Sequence, residues 1–404
     1  MMLQWAGSMR KLYIQLISNK KNKMAFTISG VSGITGLNLT TTQPAPPPPV
    51  YLWSWGGNSY GKLGLGNTTN YSSPKQIGAL TTWSLLAAGG SFGAAIKTDG
   101  TMWAWGANGQ GSLGIGDATN RSSPVQIGAL TTWSTIDAGF RHSAAIKTDG
   151  TMWSWGQGGY GRLGLGDTAN RSSPTQIGAL TTWSKVSASV DSSGSFCAAI
   201  KTDGTLWTWG RNGAGRLGLG NSGAGTDRSS PVQVGALTTW LNVSAGYAFC
   251  AAIKTDGTMW SWGQNAFGNL GLGNTTYFSS PVQIGALTTW SKVSAGQHHG
   301  AAIKTDGTLW AWGFNNSSQL GQGNTTNRSS PVQIGALTTW STVSGRNSHC
   351  AAIKTDGTLW VWGENSYGRL GLGNTTNQNS PTQVGALTTW LSISAGLYHT
   401  LAIG

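Results

Sequence analysis

Four of the five histidines, His142, His299, His349 and His399, and the three cysteines, Cys197, Cys250 and Cys350, are where catalytic or metal chemistry would first be sought in this chain. The four histidines share one place in a recurring stretch, written "GFRH", "GQHH", "GRNSH" and "GLYH"; three other copies have Phe92, Phe196 and Phe249 there. A position that exchanges His for Phe is a packing position, so these imidazoles are expected to be structural. No carboxylate or cysteine recurs at a spacing that would complete a metal shell or a nucleophile–base pair. The cysteines occupy equivalent positions in three repeats, just before the apolar "AAI" runs, and read as small core residues rather than as disulfide or zinc ligands. "GKLGLG" from Gly61 resembles a phosphate loop but lacks the Gly-Lys-Ser/Thr ending and a following helix. No catalytic residue, metal site or cofactor is assigned.

The elements that would position any site follow from a fixed period. Trp-x-Trp pairs begin at Trp53, Trp103, Trp153, Trp207, Trp260, Trp310 and Trp360, and "GALTTW" ends at Trp83, Trp133, Trp183, Trp240, Trp290, Trp340 and Trp390. Three tryptophans in each of seven units leave only Trp5 of the 22 outside the pattern. In "AAIKTDGTMWAWG" two apolar runs flank Asp99-Gly100, whose residues supply the positive φ of a tight hairpin turn. These runs are strands B and C. Both indoles of Trp-x-Trp fall on one face of strand C, because side chains alternate along a strand. A Gly-rich connection leads to "SPVQIGAL", strand D, and "WSTIDAG" supplies strand A of the next unit. Each unit is therefore a four-stranded antiparallel sheet with two faces to bury, which radial stacking achieves.

The expected fold is all-β: a seven-bladed β-propeller over residues 51–404. The sequence begins its repeats at "YLWSWG" with strands C and D and ends at "LSISAGLYHTLAIG" with strands A and B, so one blade is shared by both ends. Such closure removes an open sheet edge. Low charge, 9%, and 62 glycines suit many tight turns and little helix.

The chain resembles the regulator of chromosome condensation repeat family. The resemblance rests on Trp105-Gly106, "GSLGIG" at Gly111–Gly116, Pro124 and "AGFRHSAAI" at Ala138–Ile146, recurring together in order over residues 51–404. It implies a seven-bladed binding platform. The founding member is a nucleotide exchange factor for a small nuclear GTPase that also docks on chromatin, so a small GTPase and nucleic acid are implied as alternative partners.

Residues 1–40 form a basic extension, with Arg10, Lys11, Lys20, Lys21 and Lys23 and no acidic residue. Its longest apolar run, "LYIQLI", is too short for a secretion signal or a membrane span, and Met24 is an alternative start. Residues 41–50, "TTQPAPPPPV", read as an extended linker. A monomer without a membrane span is expected, in the cytoplasm or displayed on a microbial or viral surface.

Differences between the copies locate the working face. The B–C turn is "KTDGT" in all six intact copies and the D–A turn "GALTTW" in all seven, so the disc face that carries them is uniform. The A–B and C–D connections vary and contain both length changes, near 189–194 and 221–227. Variation and insertions gathered on one face of a repeat protein mark its binding surface. That face holds Lys62, Arg121, Arg141, Arg162, Arg171, Arg211, Arg216, Arg228, Arg328, Arg346 and Arg369 against Asp117, Asp167, Asp191, Asp227 and Glu364, in a chain of net charge +13. Those eleven residues are the candidate partner-binding set, and an acidic protein surface is the favoured partner. The aromatic interleaving expected of base stacking is absent from the basic loops. Neither short insertion looks long enough to form the projecting wedge on which exchange activity in the founding member depends.

Overall fold

The computed structural model describes residues 49–192 and 194–404, and, before them, the backbone of two strands, Tyr13–Asn19 and Lys23–Ser29. These two strands pair antiparallel, with Tyr13 opposite Ser29 and Asn19 opposite Lys23. The basic extension at 1–40 and the linker at 41–50 otherwise lie outside the described residues up to Pro48.

Residues 49–404 build seven four-stranded antiparallel sheets. In the blade that starts at Trp83, strands A to D are Trp83–Ala88, Phe92–Lys97, Met102–Gly106 and Arg121–Gln126. Its turn spans three residues, Thr98 to Gly100, rather than the two expected: Lys97 N–H donates to Thr101 O and Gly100 N–H to Lys97 O, both at 2.9 Å, only Gly100 of the Asp-Gly pair takes a positive φ (+77°), and the Asp99 carboxylate accepts bonds from the backbone N–H and hydroxyl of Thr101. The last sheet is composite. Leu52–Gly56 near the start of the propeller pairs with His399–Ile403 at its end, with Leu52 opposite Ile403 and Gly56 opposite His399. Backbone bonds between Tyr51 and Gly404 run in both directions, at 2.9 and 3.1 Å.

Blades are joined by bonds that repeat round the ring. The second indole of each Trp-x-Trp is fully buried and donates through Nε1 to a carbonyl of the preceding blade: Trp105 to Lys62, Trp155 to Ser112, and, across the join, Trp55 to Arg369, all at 2.9–3.0 Å. Burying an indole of 150–250 Å² stabilises by about 4–6 kcal/mol. Gly114 (φ +72°) shows why glycine precedes these contacts: a Cβ there would stand 2.6 Å from Nε1 of Trp155. A second set binds the inner strands. The Ser394 hydroxyl accepts from Ala88 N–H, Ser187 from Ala245, Ser244 from Ala295, Ser294 from Gly345 and Ser344 from Ala395, at 2.9–3.0 Å. Asp137 fills the same place in its blade and accepts from Ala188 N–H at 2.8 Å.

Candidate protein-interaction face

Strand order puts the A–B and C–D connections on one face of the disc, and the side chains there are sorted by depth. Lys62, Arg162, Arg216 and Arg369 occupy the C–D position whose carbonyl receives the neighbouring Trp Nε1, and all four are buried. Their charges are spent inside the protein. Arg216 pairs with Asp191 and donates to Gly194 O. Arg369 pairs with Glu364 at 3.2 Å and donates to Leu397 O at 3.1 Å. Arg162 donates to Gly159 O and to Gln157 Oε1, both at 2.9 Å. Burial, with the Arg369 charge second, lowers the Lys62 ammonium to about 8. Arg216, Arg369 and Lys62 tie C–D connections to A–B turns, Lys62 through the Tyr398 ring 5.2 Å away, and Arg162 braces its own connection; they are not part of a solvent-facing basic rim.

Arg346 has a different task. Its Nη2 donates to Asp137 Oδ1 at 3.0 Å and its Nη1 to Ala138 O at 2.7 Å, although the residues belong to blades three positions apart round the ring. The pair spans the centre of the disc. Asp137 lies in an inner strand and is not among the five acidic residues that the loops contribute. No repeating signal pointed to it, because the other blades have Ser or Ala at its place.

Arg121, Arg141, Arg171, Arg211, Arg228 and Arg328 remain at least partly exposed. Arg121 and Arg171 hold Asp117 and Asp167 at 2.5 and 2.6 Å. Arg228 donates to Thr226 O and Asp227 O, and Arg328 to Gln322 Oε1. Arg141 lies 5.0 Å from the Phe140 ring, and Arg211 is 5.0 Å from the Tyr160 ring, which is 44% exposed. Tyr160, Tyr60 and Tyr367 all stand outward with φ between 61° and 66°. The expectation that aromatic rings are missing from the basic loops is therefore corrected. Rings stand beside guanidiniums both within one loop, as Phe140 does beside Arg141, and between neighbouring blades, as Tyr160 does beside Arg211.

The histidines are structural, as their exchange with Phe implied. All four are fully buried, and burial, the first cause in each, lowers His142, His349 and His399 well below the usual imidazole range and His299 to about 3. Two of them do meet cysteines, which spacing within one repeat did not reveal: His142 Nε2 is 3.2 Å from Cys197 Sγ and His299 Nε2 3.1 Å from Cys350 Sγ, each across a blade boundary. Burial raises both thiols, so each pair is held neutral, the reverse of the thiolate–imidazolium state a nucleophile needs. All three cysteines are free, and among the described residues no cluster of His, Cys, Asp or Glu could hold a metal. Among the described residues no helix is long and apolar enough to cross a membrane.

Fold and face together define a closed seven-bladed propeller with one uniform and one varied surface. The chain belongs to the regulator of chromosome condensation family: the repeat model matches residues 51–96, 99–146 and 149–200, and the model of the related RCC1-like domain matches 183–404. Among curated proteins it is 42% identical over 94 residues to the mitochondrial RCC1 domain-containing protein RUG3 of Arabidopsis thaliana, covering 22% of this chain and 21% of RUG3. It is 38% identical over 84 residues to the ultraviolet-B receptor UVR8 of the same plant, covering 20% and 18%. The matches thus span about a fifth of these relatives. Among solved structures, human WBSCR16 has TM-score 0.75 at 20% identity, with 88% of this chain and 98% of that one covered. Yeast RCC1 (Prp20) bound to Kap60 has TM-score 0.77 at 19% identity, with coverage of 88% and 89%. At these identities the likeness is one of fold.

Proposed function

We propose that the protein is a non-catalytic interaction propeller that holds an acidic protein partner on its A–B/C–D face. One observation carries this reading: on the varied face, guanidiniums stand beside aromatic rings near the surface, the half-buried Arg211 beside the exposed Tyr160 and the exposed Arg141 beside the half-buried Phe140. Arginine and aromatic side chains are the usual anchors of protein interfaces, and a guanidinium beside a ring can still engage a carboxylate bidentately. The binding set is Arg121, Arg141, Arg171, Arg211, Arg228 and Arg328, with Lys62, Arg162, Arg216 and Arg369 supporting the loops and Arg346 tying the centre.

The same juxtaposition of rings and guanidiniums also suits a single-stranded nucleic acid, whose bases stack on exposed aromatics. Exchange of nucleotide on a small GTPase has less support. Prp20p of Saccharomyces cerevisiae, a structural neighbour, binds Gsp1p and histones, but here the A–B insertion is drawn in at Val190 and Asp191, both buried. Fluorescence anisotropy with a labelled polyglutamate peptide and a labelled single-stranded oligonucleotide separates the first two readings. The proposal expects the peptide to bind at least as tightly as the oligonucleotide at equal salt. Stronger binding of the oligonucleotide favours the nucleic-acid reading, and nucleotide release from a small GTPase in a parallel assay favours the third.

A further inference from the structure

Six blades carry an internal cation site on the uniform face. The lysine of each "KTDG" turn lays its ammonium over two indoles of its own blade: Lys147 Nζ is 3.7 Å from the Trp153 ring centre and 5.1 Å from Trp133, and Lys354 is 3.6 Å from Trp360 and 5.1 Å from Trp340. The remaining four repeat this, with 3.6–4.0 Å to the strand C ring and 5.0–5.3 Å to the other. The two rings meet edge to face with centres 6.0–6.3 Å apart.

The composite blade keeps the rings and replaces the lysine. Trp53 and Trp390 lie edge to face with centres 5.9 Å apart. Ile403 pairs with Leu52 as Ile96 pairs with Met102, so the residue after it, Gly404, stands at the register of Lys97. Glycine brings no cation to the rings, and no lysine or arginine among the described residues lies over either of them. Trp53 remains partly exposed. Its Nε1, which in the other blades donates to a Thr hydroxyl, turns to Gly404 O at 3.3 Å, since Tyr51 stands where those blades have Thr.

We propose that the partly exposed Trp53, backed edge to face by the buried Trp390, forms a binding site for an alkylammonium group from outside the propeller, with a lysine side chain of a protein partner as its natural occupant. The attraction is that of a cation for the negative face of an indole, which the fold already uses six times with the same two ring positions. The site is on the face opposite the arginine loops and does not rest on the function proposed for them.

Indole N–H resonances of the full chain, labelled with ¹⁵N at tryptophan, test this directly. Trp53 is assigned by its loss in Trp53→Phe and Trp390 by its loss in Trp390→Phe, and the probes are N-acetyl-lysinamide and its neutral isostere N-acetyl-norleucinamide. The lysine probe is expected to shift the Trp53 and Trp390 signals saturably, with a roughly threefold to thirtyfold preference over norleucine, the range a cation on an aromatic face supplies. Trp53→Leu, followed through Trp390, should abolish that preference; if this variant does not fold, Trp53→Phe should reduce it. Equal response to the two probes, or a preference unchanged by both Trp53 variants, overturns the proposal.

Discussion

At the residue scale the buried histidines make a pH prediction with a definite sign. The imidazole of His299 is lowered to about 3 in the folded protein, whereas in the unfolded chain it titrates near ~6.5. As pH falls through that unfolded value, the unfolded state takes up a proton the folded state refuses, so stability is full above it and is lost progressively toward acid. His142, His349 and His399 are shifted the same way. Phe occupies the equivalent place in three blades and should fit. In His299→Phe, melting temperature followed by circular dichroism should fall less steeply between about pH 7 and about pH 4 than in the parent; parallel curves would show that this imidazole is not a source of acid lability. A second residue-level prediction concerns Arg346 and Asp137, whose side chains are only 12% and 20% exposed. A double-mutant cycle on Arg346→Ala and Asp137→Ala in urea should give a coupling of about 1–2 kcal/mol. Additive losses would mean that the bridge across the centre contributes nothing as a pair.

At the scale of elements, the period of the tryptophans made strands, blade number and closure legible in the sequence. Alternation puts Trp103 and Trp105 on one face, and the Asp99-Gly100 turn fixes which runs pair. What stayed hidden was depth within the variable loops. Lys62, Arg162, Arg216 and Arg369 vary between blades because the fold requires only their backbone carbonyls, for the Trp bond. A varied position can therefore be fully buried. The Arg346–Asp137 pair and the His–Cys contacts were hidden for another reason: each joins different blades, over 209 residues in the first case, where no periodic spacing marks the partner. Closure itself is testable. Removing 391–404 strips two strands from the composite sheet and leaves strand Leu52–Gly56 without its partner His399–Ile403. The truncated protein should aggregate or lose its cooperative melt, because an opened ring exposes sheet edges. A truncation that melts like the intact chain would contradict closure through that blade.

At the scale of the whole molecule, the two faces of the disc differ in what their side chains do within the fold. On the uniform face, lysine and tryptophan stack within each intact blade, so charge reversal at Lys97, Lys147 or Lys304 would disturb packing and is no control for binding. The exposed alanines of the "GALTTW" turns are better suited. The central claim is that the varied face binds acidic partners through its partly exposed arginines. The measurement that tests it most directly is the affinity for labelled polyglutamate as a function of salt, in three proteins: the parent, a variant with Arg121, Arg171, Arg228 and Arg328 changed to Glu, and one with Ala129, Ala286 and Ala336 changed to Glu. The account predicts that the parent and the alanine variant bind with the same steep salt dependence, while the arginine variant binds weakly with a flattened one. Loss of binding in the alanine variant with retention in the arginine variant would contradict the assignment of the binding face.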